Sequence, residues 1–234
     1  MLLFVVISLV TMAISLWAQW RVKSVYHRYS AVPAVAGYSG AQVASAMLRQ
    51  ADIRDVEVVA QDGFLGDHYD PVNKRLVLSV ENYSGTSLAA IGVAAHEAGH
   101  ALQHKAAYAP LQLRMSAVTA TNFASQIVSI LPIFGMVTGF LSTYTGLMLM
   151  AVGWGVIMTF NLITLPVEFD ASSRAKSALN RMGFIASPQE GAGVARVLNA
   201  AAMTYVAAFV TSAVYFLWYL LPLLMGGRSS DDRD

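Results

Sequence analysis

The chain has 234 residues, of which 56% are hydrophobic and only 12% are charged, and its formal net charge is +1. So apolar a composition excludes an ordinary soluble globule and indicates membrane spans. The near-zero net charge gives no basis for a nucleic-acid partner, and the absence of cysteine excludes disulfides and thiolate metal ligands.

The first segment, residues 1–20, predicts a transmembrane anchor, because it is uncharged and about 20 apolar residues cross a bilayer. A cleaved secretory signal would begin with basic residues. Here the basic residues Arg21, Lys23 and Arg28 follow the apolar stretch instead. We therefore expect an uncleaved anchor with its N-terminus outside the cell.

Residues 21–114 have the composition of a soluble α+β domain. Hydrophobic spacing and capping residues predict a helix, two strands and a second, longer helix: 39–50 with Ser39 as N-cap, 55–60, 75–80, and the helix that follows 84–87. The strand at 75–80 is either an ordinary sheet strand or an edge that holds an extended substrate through backbone hydrogen bonds.

The longer helix contains the pattern H-E-x-x-H, formed by His96, Glu97 and His100. Residues four apart share one face of a helix, so the two imidazoles can bind one metal ion. Glu97 lies beside the first histidine, where it can act as a general base toward water. This is the pattern of zinc metalloproteases, which need a third protein ligand as well.

The remainder of the chain alternates between uncharged and polar segments. The uncharged run 115–167 is long enough for two spans with a turn near 139–146, although a long buried helical pair in a soluble protein is the alternative. The predicted division is: 1–20 anchor; 21–114 cytoplasmic zincin-like domain; 115–167 two-span hairpin; 168–196 cytoplasmic helices; 197–227 fourth span; 228–234 tail. Residues 187–190 (S-P-Q-E) predict a helix start with a capping box.

The distribution of basic residues predicts the orientation of these spans. Thirteen of the fifteen Lys and Arg residues lie in 21–114 or 168–196, and two lie beyond the last span. Basic residues favour the cytoplasmic side. We therefore expect a multi-pass cell-membrane protein whose termini are outside and whose polar segments are cytoplasmic.

Three residues are candidates for the third ligand. His104 extends the helix face, but it lies about 12 Å along the axis from His96, too far for one ion. His68 is a loop histidine that could line the cleft instead. Glu168 follows two spans, and an even number of crossings returns the chain to the side of the histidines. We favour Glu168, against the alternative that it is an interfacial carboxylate that only begins a helix.

Three stretches of this sequence resemble a known family. They are HEAGHALQH at 96–104, DHYDP at 67–71 ahead of a strand, and LPVEFDAS at 165–172 after two spans. Together they are similar to the neutral zinc metallopeptidases of bacterial membranes, the YugP-like group, from about Tyr26 to the last span. More distantly, the layout resembles HtpX and the CAAX prenyl proteases, which also place H-E-x-x-H and a later glutamate on either side of a membrane hairpin.

The resemblance implies a Zn²⁺ cofactor, His96, His100 and Glu168 as its ligands, and Glu97 as the catalytic glutamate. One position departs from the HtpX-like pattern E-x-x-x-D. Four residues after Glu168 the chain has Ser172 instead of aspartate. We therefore expect the residues around the ligands to differ from those of HtpX.

The sequence thus predicts a mostly α membrane protein with about four transmembrane helices and a small cytoplasmic α+β zincin-like domain. Its expected activity is that of a gluzincin-like zinc endopeptidase acting on membrane-associated or cytoplasmic polypeptides beside the lipid bilayer. The alternatives are a membrane adaptor with a structural zinc and a zinc hydrolase acting on a small amide. Residues with possible supporting or substrate-binding roles are His104, His68, Tyr69, Asp170 and Arg174, of which His68, Tyr69 and Arg174 are candidate oxyanion stabilisers.

Overall fold

The computed structural model of the chain describes residues 2–62, 66–139, 141 and 143–226. The described residues form seven α-helices and three short β-strands. The helices are α1 Leu2–Ser30, α2 Gly40–Gln50, α3 Val80–Ser84, α4 Leu88–Lys105, α5 Ala109–Thr138, α6 Tyr144–Arg181 and α7 Pro188–Gly226; the strands are β1 Glu57–Gln61, β2 His68–Asp70 and β3 Arg75–Ser79.

Four of the helices are long and apolar enough to cross a membrane. They are α1, α5, α6 and α7, and at most 22% of each apolar window is buried inside the protein. The predicted fold class is therefore confirmed: this is a mostly α membrane protein with a small α+β region. α1 continues ten residues beyond the predicted anchor, because nothing between Trp20 and Pro33 interrupts a helix.

The three strands form one sheet in the order β1-β3-β2. β3 pairs in parallel with β1, with Val59 opposite Val77, and antiparallel with β2, with Tyr69 opposite Leu76. Since β3 has a neighbour on both sides, the suggestion that residues 75–80 offer a free edge to substrate is wrong. β3 is an interior strand, and four of its five residues are buried.

Contact clustering divides the chain into two compact units. One unit comprises residues 1–15, 113–164 and 205–234, and it contains the larger part of the apolar helical segments. Its small core is formed by residues of α5, α6 and α7: Val128, Met150, Ala151 and Tyr219. Trp154 stacks on Tyr215 with ring centroids 4.6 Å apart.

The other unit comprises residues 16–112 and 165–204, and it contains the sheet, α2, α3, α4 and the polar parts of α6 and α7. Its core joins α2, β3 and α4 through fully buried apolar side chains such as Val43, Met47, Leu76, Leu78 and Ile91. Burial of these side chains gives the unit its main stabilisation.

Local hydrogen bonds fix the helix ends of this unit. Ser39 caps α2, as predicted, and does so in a complete capping box with Gln42. Ser87, the last of the residues 84–87 that precede the predicted helix, caps α4 by accepting from the amide of Ala90. α6 ends at Arg181, and Gly183 follows it at φ +72°, a left-handed conformation that glycine adopts without strain.

The predicted capping box at the start of α7 is only half formed. Ser187 accepts from the backbone amide of Glu190 at 3.2 Å. The carboxylate of Glu190 does not return to Ser187; it accepts from the amides of Ala186 at 2.6 Å and Val35 at 2.7 Å. Glu190 therefore joins the segment after α1 to α7, a tertiary contact that local sequence does not encode.

Replacing Gly40 with alanine tests the packing of α2. The added Cβ would lie 2.1 Å from the carbonyl oxygen of Asn82 and 3.1 Å from that of Ala90. Because backbone atoms cannot rotate away, we expect the free energy of unfolding to fall by about 1–3 kcal/mol, as is typical of overpacking. Thermal unfolding of the detergent-solubilised protein measures this loss.

The matched control is Gly191→Ala, whose Cβ would meet only a methyl group of Ile185 at 3.7 Å. Here we expect a gain of roughly 0.5–1 kcal/mol, because alanine favours a helix over glycine. If Gly40→Ala unfolded at the wild-type temperature, the close contact between α2 and α3 would be contradicted.

Candidate metal centre

The candidate metal centre begins on α4, which contains the H-E-x-x-H pattern. The helix is continuous from Leu88 to Lys105, so His96 and His100 lie one turn apart on the same face. Their ring centroids are 4.8 Å apart. His100 and Glu97 are both buried.

A carboxylate from α6 meets the two imidazoles. Glu168 Oε2 lies 3.2 Å from His96 Nε2 and 3.6 Å from His100 Nε2, and Glu168 is only 2% exposed. One ligand atom from each of the three residues lies within 4.8 Å of the other two. These three residues form a group that could hold a metal ion. Glu168 lies 72 residues after His96 in the sequence.

Glu168 can reach the histidines because α4 and α6 approach closely at Gly99. A Cβ at Gly99 would lie 2.7 Å from the carbonyl oxygen of Ala171, so the two backbones are nearly in contact there. One turn further along α4, the side chain of Gln103 donates to the carbonyl oxygen of Val167 at 2.8 Å. Ala171 and Val167 lie on either side of Glu168 and hold it against α4.

The outer nitrogens of both histidines have partners of their own. His100 Nδ1 lies 3.0 Å from Gln103 Oε1, and His96 Nδ1 lies 3.2 Å from Ser172 Oγ. Both Nε2 atoms therefore point inward, toward Glu168. Two imidazole nitrogens with one carboxylate oxygen match the ligands of catalytic zinc sites, and hydrogen-bonded outer nitrogens are typical of zinc-binding histidines. The residues present fit a zinc ion.

The charges around His100 favour a cation at this point. Burial alone lowers the pKa of His100, but the nearby carboxylate of Glu168 and the negative charge of Glu97 outweigh burial and raise that pKa overall. Two carboxylates beside two imidazoles thus form an electrostatic environment that stabilises positive charge.

His104 lies outside this group of three. Its Nδ1 is 2.8 Å from the hydroxyl of Tyr69 on β2. Burial, assisted by the charges of Asp55 and Asp70, raises the pKa of Tyr69 to about 12. Tyr69 therefore stays protonated at neutral pH and can donate to His104, which joins the far end of α4 to the sheet.

The other candidate residues from the sequence are His68, Asp170 and Arg174, and each has a partner of its own. His68 is exposed at the start of β2, and its Nδ1 is 2.8 Å from the carbonyl oxygen of Gly66. Asp170 Oδ2 accepts from Gln103 Nε2 at 2.8 Å and from Arg174 Nε at 2.5 Å. Asp170 and Arg174 are therefore connected to His100 through Gln103.

Two residues that contact the histidines, Gln103 and Ser172, were not assigned contacts with them from the sequence. Gln103 follows His100 by three positions, so helical spacing places it on the same face. Ser172 follows Glu168 by four positions, which gives it the face of α6 that carries the carboxylate. Spacing could have named both residues as neighbours of the site, but not their partners.

Replacing Gly99 with alanine tests the approach of the two helices. We expect the affinity for zinc to fall and the free energy of unfolding to drop by about 1–3 kcal/mol, because α6 must shift where it carries Glu168. Metal titration and thermal unfolding of the purified protein measure these two quantities.

The control is Gly92→Ala on the same helix. Its Cβ would meet a methyl group of Val194 on α7 at 3.3 Å, and not the backbone of α6 that carries Glu168. We expect Gly92→Ala to bind zinc as the wild type does. Wild-type zinc affinity in Gly99→Ala would show that the close approach is not required for the site.

The chain is similar to known proteins over nearly its whole length. A family model described as "Putative neutral zinc metallopeptidase" matches residues 4–225. The chain is 42% identical over 230 residues to the "Putative membrane protease YugP" of Bacillus subtilis (strain 168), a match that covers 96% of this chain and 98% of that protein. No solved structure matches the chain significantly. The chain therefore belongs to the neutral zinc metallopeptidase family of membrane proteins, as the sequence motifs predicted.

Proposed function

We propose that this protein is a membrane-embedded zinc endopeptidase whose metal is held by His96, His100 and Glu168. The convergence of two Nε2 atoms from α4 on the buried carboxylate of α6, with all three ligand atoms within 4.8 Å, is the observation that supports this most directly. Membership of a zinc peptidase family and similarity to a membrane protease support a polypeptide substrate. Two histidines of H-E-x-x-H with a later glutamate make the proposed site gluzincin-like.

Glu97 is the proposed general base. It is buried beside His96 on α4, and its negative charge acts on His100, so its carboxylate lies within the electrostatic range of the site. When bound, zinc supplies Lewis-acid activation of water and of the scissile carbonyl. The carboxylate of Glu97 would take a proton from the attacking water and return it to the departing amine.

The residues around the ligands have proposed supporting roles. Tyr69, whose hydroxyl is paired with His104, is one of three candidate oxyanion stabilisers, together with His68 and Arg174. His68 is exposed and thus accessible to a substrate. Asp170 and Arg174 form an ion pair on α6 that contacts the site through Gln103.

The proposed arrangement in the membrane uses the segments that were predicted from the sequence. Residues 21–114 and 168–196 form a cytoplasmic zincin-like domain that contains the site, at the cytoplasmic surface of the cell membrane. The segments 1–20, 115–167 and 197–227 cross the bilayer four times in total, followed by the tail 228–234. The excess of basic residues in the two proposed cytoplasmic segments supports this orientation. The substrates are then membrane-associated or cytoplasmic proteins.

Glu97→Gln separates the proposed enzyme from an adaptor with a structural zinc. We expect proteolysis of casein by the purified protein to fall at least ~10²-fold, the scale of general-base catalysis, while zinc remains bound because Glu97 is not a ligand. Cleavage rate and zinc content per chain are the two measurements.

Two further variants serve as controls, one for loss of a ligand and one for an unrelated carboxylate. Glu168→Gln should lose zinc and activity together, because a ligand is removed. Glu81→Gln, at an exposed position on α3, should retain both. Wild-type cleavage by Glu97→Gln would disprove the assignment of the base; a wild-type protein that holds zinc and cleaves nothing would favour the adaptor.

Cysteine labelling tests the proposed orientation, since the natural chain has no cysteine. We expect a membrane-impermeant maleimide to label Ser229→Cys in the tail of the protein in intact cells, and not Gln50→Cys, an exposed position at the end of α2. Permeabilised cells, in which both variants should react, are the control. Labelling of Gln50→Cys in intact cells would place the domain outside the cell.

A further inference from the structure

Gln103 is a fully buried amide on α4, with an exposed fraction of 0%. Removing an amide from water is costly unless its polar atoms find partners inside the protein. Gln103 lies three residues after His100 on the same helix face, so its partners lie next to the metal centre.

The partners of Gln103 determine how its side chain is oriented. Nε2 donates to the carbonyl oxygen of Val167 and to Asp170 Oδ2, both at 2.8 Å, while Oε1 lies 3.0 Å from His100 Nδ1. A backbone carbonyl and a carboxylate paired with arginine are acceptors. The reverse orientation would put the amide oxygen against two acceptors, so the NH₂ group must face Val167 and Asp170.

This orientation defines the proton position on His100. Because Oε1 of Gln103 can only accept, Nδ1 of His100 must carry a hydrogen. In the neutral imidazole the lone pair is then on Nε2, the atom that lies 3.6 Å from Glu168 Oε2. Nε2 is therefore the nitrogen that is available to a metal.

Asp170 is itself held in place on α6. Arg174, one turn later, donates from Nε to the same Oδ2 that accepts from Gln103. The guanidinium of Arg174 also lies 5.8 Å from the centroid of the Tyr108 ring. A chain of contacts thus runs from Tyr108 through Arg174, Asp170 and Gln103 to His100.

We propose that Gln103 is a positioning residue, held by Asp170 and Val167, that fixes His100 with its Nδ1 hydrogen outward and its Nε2 lone pair toward the metal. This inference rests on the proposed function, because it takes His100 to be a zinc ligand. Gln103 touches neither substrate nor metal; it acts through the orientation and tautomer of the imidazole.

Gln103→Met is the first test, because methionine keeps the length and volume of glutamine without its hydrogen bonds. We expect the zinc Kd of the full-length, metal-stripped protein, measured by competition with a chelator, to rise by about 10- to 100-fold, the scale found for partners of metal-binding histidines. Thermal unfolding of the metal-free variant shows whether it is folded.

Asn82→Leu is the matched control for a general loss of stability. Asn82 is another buried amide with a similar role in packing: it accepts from Tyr26 at 2.8 Å and donates to Asp67 at 2.9 Å, on α3 and away from the ligands. We expect Asn82→Leu to lower the unfolding temperature and to leave the zinc Kd within about threefold of wild type, well below the effect on a ligand's partner.

A second pair of variants tests the orientation of Gln103 even if Gln103→Met fails to fold. Asp170 is partly exposed, and both Asp170→Asn and Asp170→Ala remove its charge and its ion pair with Arg174. Only asparagine keeps an oxygen that accepts from Gln103 Nε2. We expect Asp170→Ala to weaken zinc binding by about threefold or more relative to Asp170→Asn, in the direction expected for outer partners.

The outcomes separate this inference from the proposed function. If the wild-type protein binds no zinc, or binds it equally well without Glu168, the proposed site is wrong. If zinc binding depends on Glu168 but Gln103→Met retains wild-type affinity, or if Asp170→Ala and Asp170→Asn bind zinc equally, the role of Gln103 is overturned while the site stands.

Discussion

The close contact between the backbones of α4 and α6 is the constraint on which the candidate metal centre depends. His96 and His100 lie on one helix and Glu168 on another, so their donor atoms meet only if the two helices nearly touch. Gly99 permits this, since any side chain there would collide with the carbonyl oxygen of Ala171. A glycine inside a helix costs roughly 0.5–1 kcal/mol relative to alanine. That cost is offset by the contacts that the approach allows, including the hydrogen bond from Gln103 to Val167.

The same approach buries polar atoms that then need partners. Gln103, His100 and Glu168 are all buried at the α4–α6 contact, where an unpaired donor or acceptor would be destabilising. The hydrogen bonds of Gln103 link His100 to Asp170 and, through Asp170, to Arg174 near the surface. Such a network tolerates few alternatives, because changing one donor to an acceptor leaves a neighbour unsatisfied. A network of this kind therefore fixes the orientation of each ring and amide as well as its position.

The sequence predicted the parts of this architecture that depend on local chemistry. The helix around His96, the cap at Ser39, a helix start after 84–87 and the four apolar helices all follow from patterns within a few turns of the chain. The return of Glu168 to the histidines followed from counting membrane crossings. The sequence did not predict the contacts of Gln103, the second partner of Glu190 or the interior place of β3. Each depends on which elements become neighbours, and the three-residue strand β2 is too short for a sequence pattern to reveal.

The position of His104 shows how the rise of α4 directs successive histidines to different neighbours. Three histidines at spacings of four lie along one side of the helix, and each step advances about 6 Å along the axis. Only two successive positions can reach one carboxylate on α6. The third position passes beyond α6 to β2, where Tyr69 contacts His104. A single helical stripe therefore faces the candidate metal centre for one turn and the sheet for the next. The rise that keeps His104 from the metal thus places it where it anchors the sheet to the helix of the ligands.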